Sequence, residues 1–187
     1  MSDIAARYRK VAGGFTRRAR AVPDGAWDAP APCEGWVARD VVRHMVEWMP
    51  GVLARGVEIP AGPSVDDDPV GAWTVLDHAL QAALDDPAVA AREFDVRGGR
   101  FRVDVAINTF CLPDVLVHTW DLARATGLDD ALDPDEVHRH LVGMEPIDEI
   151  LRTSGHYGPK VPVPADADEQ TRLIAFTGRD PNAGRRP

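Results

Sequence analysis

Cysteine is scarce in this sequence: Cys33 and Cys111 are the only two in 187 residues. Two thiols cannot supply the framework of a disulfide-stapled secreted domain, so the expected compartment is the reducing cytoplasm. Lysine is equally scarce, at positions 10 and 160, and the formal net charge is −9. Such a balance excludes the basic surface that sequence-independent nucleic-acid binding needs. The local run Arg17-Arg18-Ala19-Arg20 reads as the solvated face of a helix. No stretch approaches ~18 consecutive apolar residues, so no membrane span is expected. The opening MSDIAARYRK has no apolar segment behind its charges, unlike a secretory leader. HExxH, CxxC, Walker and GxSxG motifs are also missing, which removes the common protease, dithiol, nucleotide and hydrolase readings.

What is present is ordinary globular composition, 44% apolar and 27% charged. At roughly 150 residues per domain, the whole chain, 1–187, reads as a single domain, with a core over about 3–127 and an appendage over about 133–180. Ile4, Tyr8, Val11, Phe15, Ala19 and Val22 share one stripe of a first helix over 3–22, with Ser2 or Asp3 as cap. A second helix is expected from Val37 to Val57, and a third from Asp66-Asp67-Asp68-Pro69 to Asp85, where acidic residues and proline suit a helix start. Arg92–Val96 and Arg100–Val105 flank Gly98-Gly99 as a short β-hairpin. A fourth helix spans Val105 to Thr126, kinked at Pro113 or beginning there. Asp133-Pro134 opens a fifth, interrupted by Pro146. Gly158–Ala165 reads as extended, Asp168–Thr177 as a last short helix, and the tail beyond Gly178 as loose. Four principal helices predict a mainly α protein, an up-and-down four-helix bundle with a small helical appendage.

The fourth helix carries Cys111, Asp114, His118, Asp121 and Ala125 at 3-4-3-4 spacing, one longitudinal stripe among Leu112, Val115, Leu116, Val117, Trp120 and Leu122. A helix apolar on most sides is buried, and a buried carboxylate beside a buried histidine needs a partner or a metal. On the second helix, His44 shares the stripe of Val41 and Trp48. His44, Asp114 and His118 together offer two imidazoles and one carboxylate, a set suited to Zn²⁺ with an open position, or to Fe²⁺ or Ni²⁺. The spacing alone admits equally a hydrogen-bonded His–Asp core pair and an unrelated histidine. Asp121 is either the acceptor that orients His118 through its other ring nitrogen or the partner of an arginine such as Arg124. Cys111 is an extra ligand, a pocket-wall thiol or a small buried hydrophobe. Glu47, three residues after His44, is a further ligand or an ordinary exposed residue. His138 and His140 point apart, and His78 and His156 have no neighbouring partner.

Pro32-Cys33-Glu34-Gly35-Trp36 followed by Asp40-Val41-Val42-Arg43-His44 resembles the C-x-G-W…H start of the mycothiol-dependent maleylpyruvate isomerase N-terminal family of the DinB-like superfamily. Asp114 through Gly127 is similar to that family's second signature. Gly158-Pro159-Lys160 through Asp180-Pro181 is similar to the ending of one actinobacterial subfamily. The resemblance implies an up-and-down four-helix bundle holding a divalent metal at His44, Asp114 and His118. It also implies mycothiol, a small-molecule thiol, as co-substrate in transfer to, or isomerisation of, a small electrophile. A non-catalytic metal-binding or stress-response module of the same fold is the alternative. Bundles of this kind commonly dimerise through one face, and the sequence leaves a homodimer open. The isomerase itself resembles this chain only over the bundle and carries Glu where Asp114 stands, a longer reach toward a metal.

Overall fold

The computed structural model describes residues 3–96, 99–153 and 157–183. Ser2, Gly98 and His156, named above, lie outside the described residues. Helix α1 (Asp3–Ala21) buries Ala5, Tyr8, Val11, Ala12, Phe15 and Ala19, a stripe at helical spacing. Ile4 and Val22, expected on that stripe, are only partly buried. Arg17 and Arg20 are exposed, whereas Arg18 turns back to donate to the carbonyls of Asp129 and Ala131 at 2.7 Å each.

Helix α2 (Ala38–Leu53) starts where Asp40 accepts the Val37 N–H at 3.0 Å. It stops short of the expected Val57, because the Gly56 and Val57 N–H groups both turn back onto the Leu53 carbonyl. Helix α3 (Pro69–Asp85) has Asp68 as its cap, accepting from the Gly71 N–H, and proline in its first turn. A single turn, α4 (Pro87–Ala90), leads into an antiparallel hairpin of β1 (Glu93–Val96) and β2 (Gly99–Arg102). Its register pairs Glu93 with Arg102 and Phe94 with Phe101. The second strand ends earlier than expected. Val103 gives its N–H to the Arg92 carbonyl and then begins the helical turn α5 (Val103–Ala106).

The chain continues without a break through a widened π turn, Ile107–Cys111, into α6 (Leu112–Thr126). There the Leu112 N–H reaches the Ile107 carbonyl, five residues back. Pro113 explains the widening: it has no N–H, and its ring crowds the carbonyl four residues earlier in a regular helix. The regular part of the fourth helix therefore begins beside Pro113, at Leu112, and the turns before it, from Val103, belong to a separate helical turn and the π turn. Helix α7 (Pro134–Met144) gives way at Pro146 to a 3₁₀ turn and α8 (Asp148–Thr153), and α9 (Glu169–Phe176) is capped by Asp168.

Helices α1 and α2 each pack against both α3 and α6, and α7 packs on α9 and α6. Phe15 of α1 meets Trp73 of α3 with ring centres 4.6 Å apart at the centre of this core. Arg7 of α1 spans to α7, its Nε and Nη2 each 2.7 Å from a Glu136 carboxylate oxygen. The segment after Gly178 is not loose as far as it is described. Arg179 grips Asp121, and Arg124 donates to the Pro181 and Ala183 carbonyls. A buried carboxylate requires a counter-charge, and at Asp121 the tail supplies it. No helix among the described residues is long and apolar enough to cross a membrane.

Candidate metal centre

Where α2 lies against α6, His44 from one helix faces Asp114 and His118 from the other. His44 Nε2 stands 3.4 Å from Asp114 Oδ2, and His118 Nε2 stands 3.4 Å from Asp114 Oδ1. The ligand-capable atoms of these three residues all lie within 4.8 Å of one another. The other nitrogen of His118, Nδ1, is 2.8 Å from Asp121 Oδ2. That contact has hydrogen-bond length, whereas 3.4 Å is long for one. His118 and Asp121 are buried, at 5% and 0% side-chain exposure, while His44 and Asp114 keep 33% and 22%. The cluster is therefore closed on the Asp121 side and open beside His44.

Aromatic rings wall the cluster. Trp36 stacks on His118 at 5.8 Å and 19°, and lies 5.2 Å from His44. The loop that presents Trp36 turns through Gly35 at φ 76, a conformation glycine adopts without strain, and the Trp36 N–H closes onto the Cys33 carbonyl. Trp48, one helical turn after His44, donates its indole N–H to Asp114 Oδ2 at 3.0 Å.

Charge in the site is concentrated. Burial opposes ionisation of Asp114, yet the two histidines outweigh it and hold this carboxyl below the ordinary range. Burial likewise opposes the His118 imidazolium, but Asp114 and then Asp121 raise its pKa to about 9. Asp121 is held low, against burial, by Arg179 and His118. Arg179 Nε lies 2.8 Å from Asp121 Oδ1, its Nη2 2.7 Å from Oδ2, and the same Nη2 3.5 Å from Cys33 Sγ. Burial and the Asp121 charge push the Cys33 thiol up to about 12. Burial, then Asp114, pushes Cys111 up as well. Both cysteines are thiols near neutrality, not thiolates.

Of the residues singled out by sequence, the fold gathers His44, Asp114, His118 and Asp121. It does not bring Cys111 or Glu47 into any metal-capable group among the described residues. Cys111 is fully buried in the apolar core at the end of the π turn, and Glu47 is exposed. The arginine on Asp121 is Arg179 instead of Arg124, which pairs with Asp130. His138 meets Glu169, buried His140 bonds the Glu136 carbonyl, and His78 is exposed. A second group, Cys33, His118 and Asp121, has metal-capable spacing, but the Arg179 guanidinium already occupies its acceptors. Sequence reasoning gave no role to Trp36, Cys33, Trp48 or Arg179. For Trp48 there was a signal, since a half-buried indole N–H needs an acceptor and it lies four residues after His44. For Arg179 there was none, because it reaches Asp121 across 58 residues.

The donor set fits a divalent ion. Two imidazole nitrogens and a carboxylate oxygen are ordinary ligands of such an ion, and these three residues offer them within 4.8 Å of one another. With Asp121 accepting at Nδ1, the His118 lone pair in the neutral ring falls on Nε2, which faces Asp114.

The chain matches the family described as the mycothiol maleylpyruvate isomerase N-terminal domain over residues 8–123. Two similar proteins are both called uncharacterised, one from Mycobacterium tuberculosis strain CDC 1551 / Oshkosh and one from strain H37Rv. Each is 30% identical over 157 residues, covering 80% of this chain and 83% of its own length. No solved structure matches the chain significantly. The chain belongs to the mycothiol maleylpyruvate isomerase N-terminal domain family.

Proposed function

We propose that this protein binds a divalent metal ion through His44, Asp114 and His118, and acts with a low-molecular-weight thiol, mycothiol by family, on a small electrophile in transfer or isomerisation. The observation that carries this reading is that His44, Asp114 and His118 bring two imidazole nitrogens and a carboxylate oxygen within 4.8 Å of one another across two helices, a donor set suited to a divalent ion. Two imidazoles, one carboxylate and an open side suit zinc, with nickel and iron as the other candidates. In this reading α1, α2, α3 and α6 form the up-and-down bundle of the DinB-like fold, and 1–187 is one domain.

When bound, the ion supplies Lewis acidity, which lowers the pKa of a coordinated thiol. Asp121 accepts a hydrogen bond from the Nδ1–H of His118 and so directs Nε2 to the ligand position. The Trp48 indole N–H holds one oxygen of Asp114 and limits its rotation. Trp36 covers the His118 ring and keeps water from that face. Cys111 is sealed in the core and Cys33 lies against Asp121 and Arg179, so neither sulfur faces the open side beside His44, where a thiol co-substrate would arrive.

Elemental analysis of protein purified without an affinity tag, beside His118→Ala, tests the site. Near-stoichiometric metal lost in the variant is expected. Metal at background in both, after reconstitution with Zn²⁺ or Ni²⁺, overturns the reading. In the Co²⁺-substituted protein, millimolar thiol is expected to change the visible spectrum. A bound metal whose spectrum ignores thiols would leave a non-catalytic metal-binding module.

A further inference from the structure

Arg179 lies beyond residues 8–123, the stretch shared with the family, yet its side chain ends on the carboxylate that orients His118. We propose that Arg179 is a positioning residue for the metal centre, acting through Asp121, so that a site built on α2 and α6 depends on the docked C-terminal segment. The proposal rests on the reading of His44, Asp114 and His118 as ligands.

Asp121 is fully buried, and three groups fill its acceptor positions: Arg179, His118 and, at 3.6 Å from Oδ2, the Cys33 thiol. Arg179 bonds both oxygens, Nε at 2.8 Å to Oδ1 and Nη2 at 2.7 Å to Oδ2. His118 Nδ1 takes Oδ2 at 2.8 Å. A planar guanidinium bonded to both oxygens fixes the plane of a carboxylate. That plane sets the direction from which the Nδ1–H is received, and hence where Nε2 points, 3.4 Å from Asp114. Without Arg179, Asp121 would be a buried charge held on Oδ2 alone, by His118 and the Cys33 thiol, with Oδ1 unpartnered, free to rotate or to take up a proton. In either state it holds the imidazole less well.

The presentation of Arg179 is itself built. Helix α9 ends with the Gly178 N–H on the Ala175 carbonyl and the Arg179 N–H on the Ile174 carbonyl. Gly178 sits at φ 88, and a Cβ there would stand 3.2 Å from the backbone of Gly158 and Pro159, so the turn admits little else than glycine. Beyond it, Arg124 of α6 holds the Pro181 and Ala183 carbonyls at 3.0 and 3.3 Å. The segment is thus tied back to α9 before the Arg179 contact and held by Arg124 of α6 after it.

The test uses the full chain in five forms: wild type, Arg179→Ala, Arg179→Lys, Asp121→Asn and the Arg179→Ala/Asp121→Asn double variant. Zn²⁺ affinity is read by competition with a chromophoric chelator, and ligand geometry by the visible spectrum of the Co²⁺ form. Arg179→Ala is expected to weaken Zn²⁺ roughly ten- to a hundredfold, the usual loss when a group behind a ligand is removed, and to shift the Co²⁺ bands. Arg179→Lys should recover part of both. In the Asp121→Asn background the further change on losing Arg179 should stay within about twofold, because the two act as a unit. If Arg179→Ala fails to fold, Arg179→Gln against Arg179→Lys makes the same comparison. Unchanged affinity and spectrum in Arg179→Ala, or an equal loss in both backgrounds, overturns the positioning role and leaves the metal reading standing. A wild type that binds no more Zn²⁺ than His118→Ala overturns both.

Discussion

His118 lies between two carboxylates, and this placement makes the metal-free protein sensitive to alkali. Its folded pKa is raised to about 9 from an ordinary value near 6.5. A raised histidine contributes stability that is complete below the unfolded value and is lost as pH climbs through the folded one. The apo-protein should therefore melt at progressively lower temperature between about pH 6.5 and pH 9. Metal must displace the same proton, so Zn²⁺ affinity should rise over that window. A melting temperature flat from pH 6.5 to 9 in wild type and identical to that of His118→Ala would refute the assignment. At the same scale, Trp48→Phe removes the indole donor to Asp114 while keeping most of the ring. We expect weaker metal binding, with loss of stability near the ~1 kcal/mol of a typical hydrogen bond, measured by titration and denaturant melts.

Helix positions were legible in the sequence because apolar residues recur at helical spacing and acidic or proline residues mark the starts. Asp68 and Asp168 cap α3 and α9 as such residues do. What local pattern could not show was the register lost at Pro113. A helix can kink, stop or widen at proline; here the turn just before Pro113 widens, and Asp114, His118 and Asp121 stay together on α6. The hairpin's second strand was overextended for a different reason: Val103 has strand character, but its side chain is needed in the core. Removing the α9 cap with Asp168→Ala deletes acceptors of the Thr171 N–H and hydroxyl, both at 2.8 Å. The expected cost is about 1 kcal/mol, visible as faster hydrogen exchange confined to α9 and the segment after it.

Across the molecule, the C-terminal helices join the core through apolar side chains such as Val137, Leu141 and Leu173 and through buried polar ties. Arg7 reaches from α1 to Glu136 on α7 and also donates to Asn108 in the π turn at 2.8 Å. The Glu136 side chain is only 4% exposed. Arg7→Ala leaves that carboxylate buried without its main counter-charge, and should cost about 3 kcal/mol. Adding Glu136→Gln to Arg7→Ala should restore part of the loss in a denaturant melt, since the stranded charge is then gone; no recovery would mean that lost packing, not charge, dominates.

The sequence by itself determined the helices, their caps and the stripe that places Asp114, His118 and Asp121 on one face, because these follow from local dihedral preference and helical period. It also held the motif residues that tie the chain to its family. Only the tertiary structure decided which groups complete the site. Trp36 comes from a loop, Trp48 turns its N–H to a carboxylate on another helix, and Arg179 arrives from the far end of the chain. Cys111, on the expected stripe, belongs to the core, while Cys33 stands against Asp121. Such pairings are set by the need to neutralise buried charge wherever the packed chain brings a partner, and no spacing along the sequence encodes that distance.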